Sequence, residues 1–135
     1  MIVKDIMSSS IISVKPDDTL DRISYIMRSE DVGAVPVCDK QNRLIGIITD
    51  RDLILRYEKG NTASDMMTKS PISVTSEDDI HDAAMMFSKY RIRRLPVLDG
   101  ERLVGMLSLR DMAKKKVLKA EIGHIIYNIC NHNHP

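Results

Sequence analysis

Two short strings in this chain pair a hydroxyl with a carboxylate at the same spacing: Thr49-Asp50-Arg51-Asp52 and Ser108-Leu109-Arg110-Asp111. Each follows a glycine and two apolar residues, Gly46-Ile47-Ile48 and Gly105-Met106-Leu107. A hydroxyl at i and a carboxylate at i+3 across a strand-to-helix junction can address one ligand together. A carboxylate there can accept hydrogen bonds from two neighbouring hydroxyls, and such charge-assisted bonds contribute about 1.5–3 kcal/mol each. Backbone amides at the helix start can aid an anionic group, and the glycines permit close approach of the chain. The same pattern is also a helix N-cap with an acid at the third helical position. The two roles can coexist.

Other chemistry-bearing residues are sparse. Cys130, His132 and His134 are thiol and imidazole groups of the kind that binds zinc or copper, but they lack a fourth partner at a known spacing. His81 and His124 read as surface or packing residues, and Cys38, within a predicted strand, as a small buried apolar one. No nucleophile elbow, phosphate-binding glycine loop or paired-cysteine motif is present, so no catalytic residues and no metal site are assigned. The expectation is a protein that is not an enzyme.

The elements that must position the two strings come from a duplication. Asp5-Ile6-Met7 returns as Asp65-Met66-Met67, Ile12-Ser13-Val14 as Ile72-Ser73-Val74, and Pro36-Val37 as Pro96-Val97. After a one-residue deletion, Arg43-Leu44-Ile45-Gly46 matches Arg102-Leu103-Val104-Gly105. The repeats run 1–59 and 60–118, followed by a C-terminal helical extension and tail at 119–135. Each reads β-α-β-β-α. In the first, Ile11 to Val14 is a predicted strand, Leu20, Ile23, Ile26 and Met27 share a helical face, and Ala34–Cys38 and Leu44–Thr49 are strands joined by Asp39 to Asn42. In the second, Ser76-Glu77-Asp78-Asp79 resembles a capping box ahead of Ile80, Ala83, Ala84 and Phe87, and Asp99-Gly100 is a hairpin turn. Beyond the repeats, Leu118, Ile122, Ile125, Ile126 and Ile129 fall at helical spacing, a stripe that packs on its own protein or on a dimer mate. The methionines read as core filler.

Gly-apolar-apolar-Thr/Ser-x-x-Asp, with Val35-Pro36-Val37 and Leu95-Pro96-Val97 upstream of it, resembles the signature of the CBS (cystathionine beta-synthase) domain, and the duplication resembles a tandem pair, or Bateman module. The resemblance implies an α/β fold of two pseudo-twofold-related units packed sheet to sheet, binding an adenine nucleotide between the repeats. It implies one site with Ile47, Thr49 and Asp52, a base lined by Pro71, Ile72 and Ser73, and closure by Ile92, Arg94 and Pro96. Arg93 and Arg94 are the phosphate candidates. A second site would use Met106, Ser108 and Asp111, with Ile11, Ile12 and Val32 around the base. Val32 to Val37 carries no arginine where the other repeat has Arg93-Arg94, so this second site is expected to hold phosphate poorly. AMP is the first choice of ligand, with ADP, ATP or S-adenosylmethionine as other candidates, and no cofactor is required. Equally, the arginines can be a solvated rim.

Length and charge bound the rest. A chain of 135 residues has room for a sizeable core but not for a catalytic domain beside a regulatory one. A net charge of +1 supplies no field to attract nucleic acid or membrane. A charge arrives at Lys4, and no long uncharged apolar run follows. The expectation is a cytoplasmic homodimer acting on an unidentified protein partner. Two readings compete: a structural or dimerisation module that binds nothing, and a nucleic-acid-associated regulator using Lys114, Lys115, Lys116 and the arginines.

Overall fold

The repeats exchange their leading arms. The computed structural model describes residues 1–115 and 118–131, and its contacts divide the chain into one unit of Ile12–Pro71 with Glu101–Leu103 and another of Met1–Ile11, Ile72–Gly100 and Val104–Pro135. The compact units therefore cut the chain differently from the repeats. Residues 60–71 open the second repeat yet fold with most of the first, and residues 1–11 fold with most of the second. Apolar residues at fixed places in each arm are the cause, as the two cores show.

In the Ile12–Pro71 unit, α1 (Leu20–Ser29) starts at Thr19, whose hydroxyl accepts from the Arg22 amide at 3.3 Å. β1 (Ala34–Cys38) runs antiparallel to β2 (Leu44–Thr49), as the apolar runs predict. The Asp39 carboxylate ties the turn between them, accepting from the amides of Gln41 and Arg43 at 2.9 Å each and from Arg43 Nε at 2.7 Å. Those bonds, the Arg43 amide first, hold its carboxyl below the usual aspartate range. α2 (Asp50–Leu55), a 3-10 turn at Tyr57–Lys59, and α3 (Ala63–Met66) follow. β3 (Thr68–Lys69) then joins β2 antiparallel, with Thr68 opposite Ile47. The core consists of Val14, Ile23, Ile26, Met27, Val35, Val37 and Ile48 together with Ala63 and Met66 from the arm. Cys38 is fully buried, and burial pushes its thiol pKa up.

The predicted strand at Ile11 to Val14 shrinks to one bridge. Val14 pairs in parallel with Val37 through Val14 N–H to Pro36 O (3.0 Å) and Cys38 N–H to Val14 O (2.9 Å). Extending that ladder to Ile12 would need a hydrogen bond from the nitrogen of Pro36, which carries no hydrogen. Pro96 imposes the same limit in the second repeat, where β4 is only Val74–Thr75, parallel to the next strand at Val97 and Leu98.

In the other unit, α4 (Ile80–Tyr90) is followed by β5 (Arg94–Asp99), β6 (Arg102–Ser108), α5 (Leu109–Ala113) and α6 (Lys119–Asn131), with sheet order β4-β5-β6. The capping box expected at Ser76 is not formed. Ser76 donates its hydroxyl to the Asp99 carboxylate, and Asp79 caps α4 by accepting from the His81 amide at 3.0 Å. The chain first turns at Thr75 to Asp78, closed by Asp78 N–H to Thr75 O at 3.1 Å, and this moves the cap three residues on. Val3 and Ile6 of the arm join Phe87, Leu95, Val97, Leu107, Met112, Leu118 and Ile125 in the core. Ser8 and Met106 exchange two backbone hydrogen bonds of 2.9 Å.

α6 packs on α4 and α5. Of its predicted stripe, Leu118 and Ile125 are buried, and Ile122 and Ile129 pack against the core. Ile126, one residue further round the helix, is instead 48% exposed. The methionine expectation holds for Met27, Met66 and Met112 but not for Met1 or Met85, which are 52% and 69% exposed. Among the described residues no helix is long and apolar enough to cross a membrane. Gly123 sits exposed in α6, and a Cβ there would meet nothing within 4 Å. Gly123→Ala is therefore expected to stabilise the protein by about 0.5–1 kcal/mol, measured by chemical denaturation, because alanine loses less backbone entropy in a helix.

Candidate functional site

Both hydroxyl–carboxylate strings lie where the alternation of the preceding strand gives way to a helix. Thr49 is the last residue of β2 and the N-cap of α2, and Ser108 is the last of β6 and the N-cap of α5. Thr49 Oγ1 accepts from the Asp52 amide (3.2 Å), and Asp52 Oδ2 accepts from the Thr49 amide (2.9 Å). In the other repeat the two bonds, Asp111 N–H to Ser108 Oγ and Ser108 N–H to Asp111 Oδ2, are both 3.0 Å. The capping role is thus realised twice. It uses one carboxylate oxygen, Oδ2, of each aspartate and leaves Oδ1 of both outside the cap.

Asp52 Oδ1 lies 3.6 Å from Arg56 Nε one turn on, a residue that sequence reasoning did not single out. Its i, i+4 spacing from Asp52 was the available signal. Among the described residues Asp111 Oδ1 has no hydrogen-bond or ion-pair partner. Each carboxylate is half-buried and held in one place by its cap, so an incoming hydroxyl meets a positioned acceptor.

The helix-start amides differ from expectation. The Asp50 amide donates to Gly33 O at 2.9 Å, Arg51 to Asp50 Oδ1 at 2.8 Å, and Asp52 to Thr49 Oγ1. Leu109 likewise donates to Arg93 O at 3.1 Å. The bonds to the Gly33 and Arg93 carbonyls tie the loop before β1 or β5 to the start of the short helix that follows the strand pair. The first three amides of α2, and those of Leu109 and Asp111 in α5, which the sequence left open for phosphate, are thereby engaged.

The signature glycines are accounted for by the exchanged arms. A Cβ on Gly46 would collide with Met67 Sδ and stand 3.0 Å from Thr68 O, and one on Gly105 would stand 2.5 Å from Met7 Sδ and 2.9 Å from Ser8 O. Close approach at these positions is made by the protein's own arm. The recurrence of methionine at 7 and 67 was the sequence signal for this contact.

The remaining expected residues are distributed over both units. Pro71, Ile72 and Ser73 are half-buried in an irregular segment, as are Ile11, Met106 on β6 and Ile47 on β2. Ile12 and Val32 are exposed. Ile92 is half-buried, Pro96 is buried in β5, and Arg93 and Arg94 are exposed. Neither arginine has a carboxylate partner among the described residues. Gly33 and Ala34 occupy the corresponding places in the first repeat, so the asymmetry in positive charge is real at the level of side chains. Cys130 is exposed in the last turn of α6, His132 and His134 lie outside the described residues, and no cluster of three metal-ligating side chains occurs among those described.

A duplicated sheet-and-helix unit with a capped Thr/Ser-x-x-Asp junction in each copy defines the class. The CBS domain model matches residues 3–59 and 63–117, and the chain belongs to the CBS domain family as a tandem pair. It is 33% identical over 136 residues to the CBS domain-containing protein YhcV of Bacillus subtilis, spanning 97% of this chain and 96% of that one. The crystal structure of CBSX2 in complex with AMP is similar with a TM-score of 0.81 at 27% identity, covering 89% of this chain and 98% of that one. The CBS domain pair of protein MJ0100, in complex with 5-methylthioadenosine and S-adenosyl-L-methionine, is similar with a TM-score of 0.77 at 27% identity, covering 84% and 94%.

Proposed function

We propose that this chain is a regulatory module that binds an adenine nucleotide, AMP first, and performs no chemistry of its own. The observation that carries the reading is the repeated junction: a carboxylate fixed by its cap, with its second oxygen outside that cap, at Asp52 and at Asp111. Such an oxygen can accept from the ribose hydroxyls, while Thr49 or Ser108 faces the ribose or first phosphate. The AMP held by CBSX2 and the adenosine-containing ligands held by the MJ0100 pair support this choice of ligand class.

The two sites are proposed to be unequal. The Thr49 and Asp52 site, to which the resemblance assigns Ile47, Pro71, Ile72, Ser73, Ile92 and Pro96, is proposed to take the phosphate-bearing ligand, with Arg93 and Arg94 as its phosphate candidates. The Ser108 and Asp111 site, with Met106, Ile11, Ile12 and Val32, takes a nucleoside-like ligand or stays empty. Since the helix-start amides are engaged internally, phosphate recognition falls to the arginine side chains. Binding favours one arrangement of the module, and a protein partner reads that arrangement in the cytoplasm.

Thermal unfolding tests the ligand class. AMP at about 100 times its dissociation constant is expected to add about 2.7 kcal/mol to stability, raising the melting temperature by several degrees. A panel of AMP, ADP, ATP and S-adenosylmethionine in which no member moves the transition would favour the structural-module reading instead.

A further inference from the structure

α6 lies beyond the stretch that the CBS domain model matches, which ends at residue 117, and the first repeat has no counterpart of it. It meets α4 through two polar contacts. His81 Nδ1 stands 2.7 Å from Glu121 Oε1, and Asn128 Nδ2 donates to Ser88 Oγ at 3.2 Å. Since the later residue on one helix faces the later residue on the other, α4 and α6 run side by side in the same direction. Between them lies a cleft of about 760 Å³, within the size range of small-molecule sites.

The groups lining this cleft are sorted along its length. His81 and Glu121 close one end, buried Ala84 and Ile125 with exposed Met85 form an apolar middle, and Ser88, Lys89 and Arg91 stand at the other end. Among the described residues neither Lys89 nor Arg91 has a carboxylate partner, and Lys89 Nζ lies over the ring of its neighbour Tyr90 at 5.3 Å. Ser88 Oγ accepts from Asn128 and has no acceptor for its own hydrogen among the described residues. Arg91 ends α4 in the left-handed region, at φ 52° and ψ 48°, where glycine is the usual residue. Asp31 takes the same conformation in the first repeat, at φ 53°. The backbone thus belongs to the repeat, whereas the positive side chain belongs to this cleft.

That order selects a ligand. Lys89 and Arg91 against Glu121 leave one net positive charge with the histidines neutral, which matches a carboxylate better than a doubly charged phosphate. Glu121 repels the same head group from the other end. Lys89 is eight residues beyond His81 on α4, about 12 Å at the helical rise, so an apolar chain of that length fits between the two ends. We propose that the α4–α6 cleft binds an organic carboxylate with an extended apolar chain, its head at Ser88, Lys89 and Arg91 and its chain over Met85, Ala84 and Ile125. The cleft shares no residue with either hydroxyl–carboxylate junction and does not rest on the nucleotide reading.

Isothermal titration of the full chain with sodium decanoate tests it. Binding with a dissociation constant below about 1 mM is expected. Decylamine, which reverses the head charge, and acetate, which lacks the chain, should each bind at least about tenfold more weakly. Arg91→Gly removes a charge at a position whose backbone suits glycine, so it should leave the melting temperature nearly unchanged. Combined with Lys89→Ala, it should weaken decanoate at least about tenfold. In methyl-labelled protein the Met85 ε-methyl resonance should move with decanoate concentration. No binding by about 5 mM decanoate, decylamine binding as tightly as decanoate, a double variant that binds decanoate as well as the wild type, or an unmoved Met85 methyl would each overturn the proposal.

Discussion

Gly105→Val is expected to destabilise the protein by about 3–5 kcal/mol, a large share of the roughly 5–15 kcal/mol that holds a domain of this size folded. A side chain at Gly105 meets Met7 Sδ at 2.5 Å and the Ser8 carbonyl at 2.9 Å. The methionine can swing aside, but the carbonyl cannot move cheaply, because Ser8 is tied to Met106 by two hydrogen bonds of 2.9 Å. Relieving the clash breaks those bonds and withdraws Val3 and Ile6 from the core. Gly46→Val should behave alike through Met67 and Thr68. Denaturant titration would show the midpoint falling with little change in slope. A midpoint equal to that of the wild type would mean that the arm does not cross at this glycine.

Asp52→Asn is expected to weaken AMP binding by roughly ten- to hundredfold while leaving the fold in place. Asparagine keeps an oxygen for the Thr49 amide, so the cap of α2 survives in outline. It loses the charge, and its remaining atom is a donor where the ribose hydroxyls need an acceptor. Thr49→Ala removes the opposite half of the cap and should cost about 1 kcal/mol of stability with a smaller loss of affinity. An Asp52→Asn chain that binds AMP as well as the wild type would remove Asp52 from the site.

How far the sequence could be read depended on whether the determining contact was local. β1 and β2 appear where the β-branched runs place them, and the Thr49 and Ser108 caps form at the predicted junctions, because hydrogen bonds three residues apart are written in the sequence itself. Strand Ile11 to Val14 was overestimated because its ladder ends at Pro36, a residue in a different strand. The role of Gly46 and Gly105 was hidden for the same reason, since what crowds them arrives from the exchanged arm. Ser76 does not cap α4 because its hydroxyl donates to Asp99 at the end of the neighbouring strand β5, a partner distant in sequence. Of the candidate residues, the capped position of the two carboxylates and the exposure of Arg93 and Arg94 follow local pattern, while their part in binding remains the proposal above. The engagement of the helix-start amides by Gly33 and Arg93 carbonyls was not legible, because those partners are set by the loop preceding each strand pair.

Isothermal titration of the wild-type chain with AMP bears most directly on the proposed function. One saturable binding event per chain is predicted, abolished or strongly weakened in Asp52→Asn, weakened in Arg94→Ala, and retained in Asp111→Asn. Two equivalent sites per chain, equal binding by all four proteins, or no heat of binding up to millimolar AMP would contradict it.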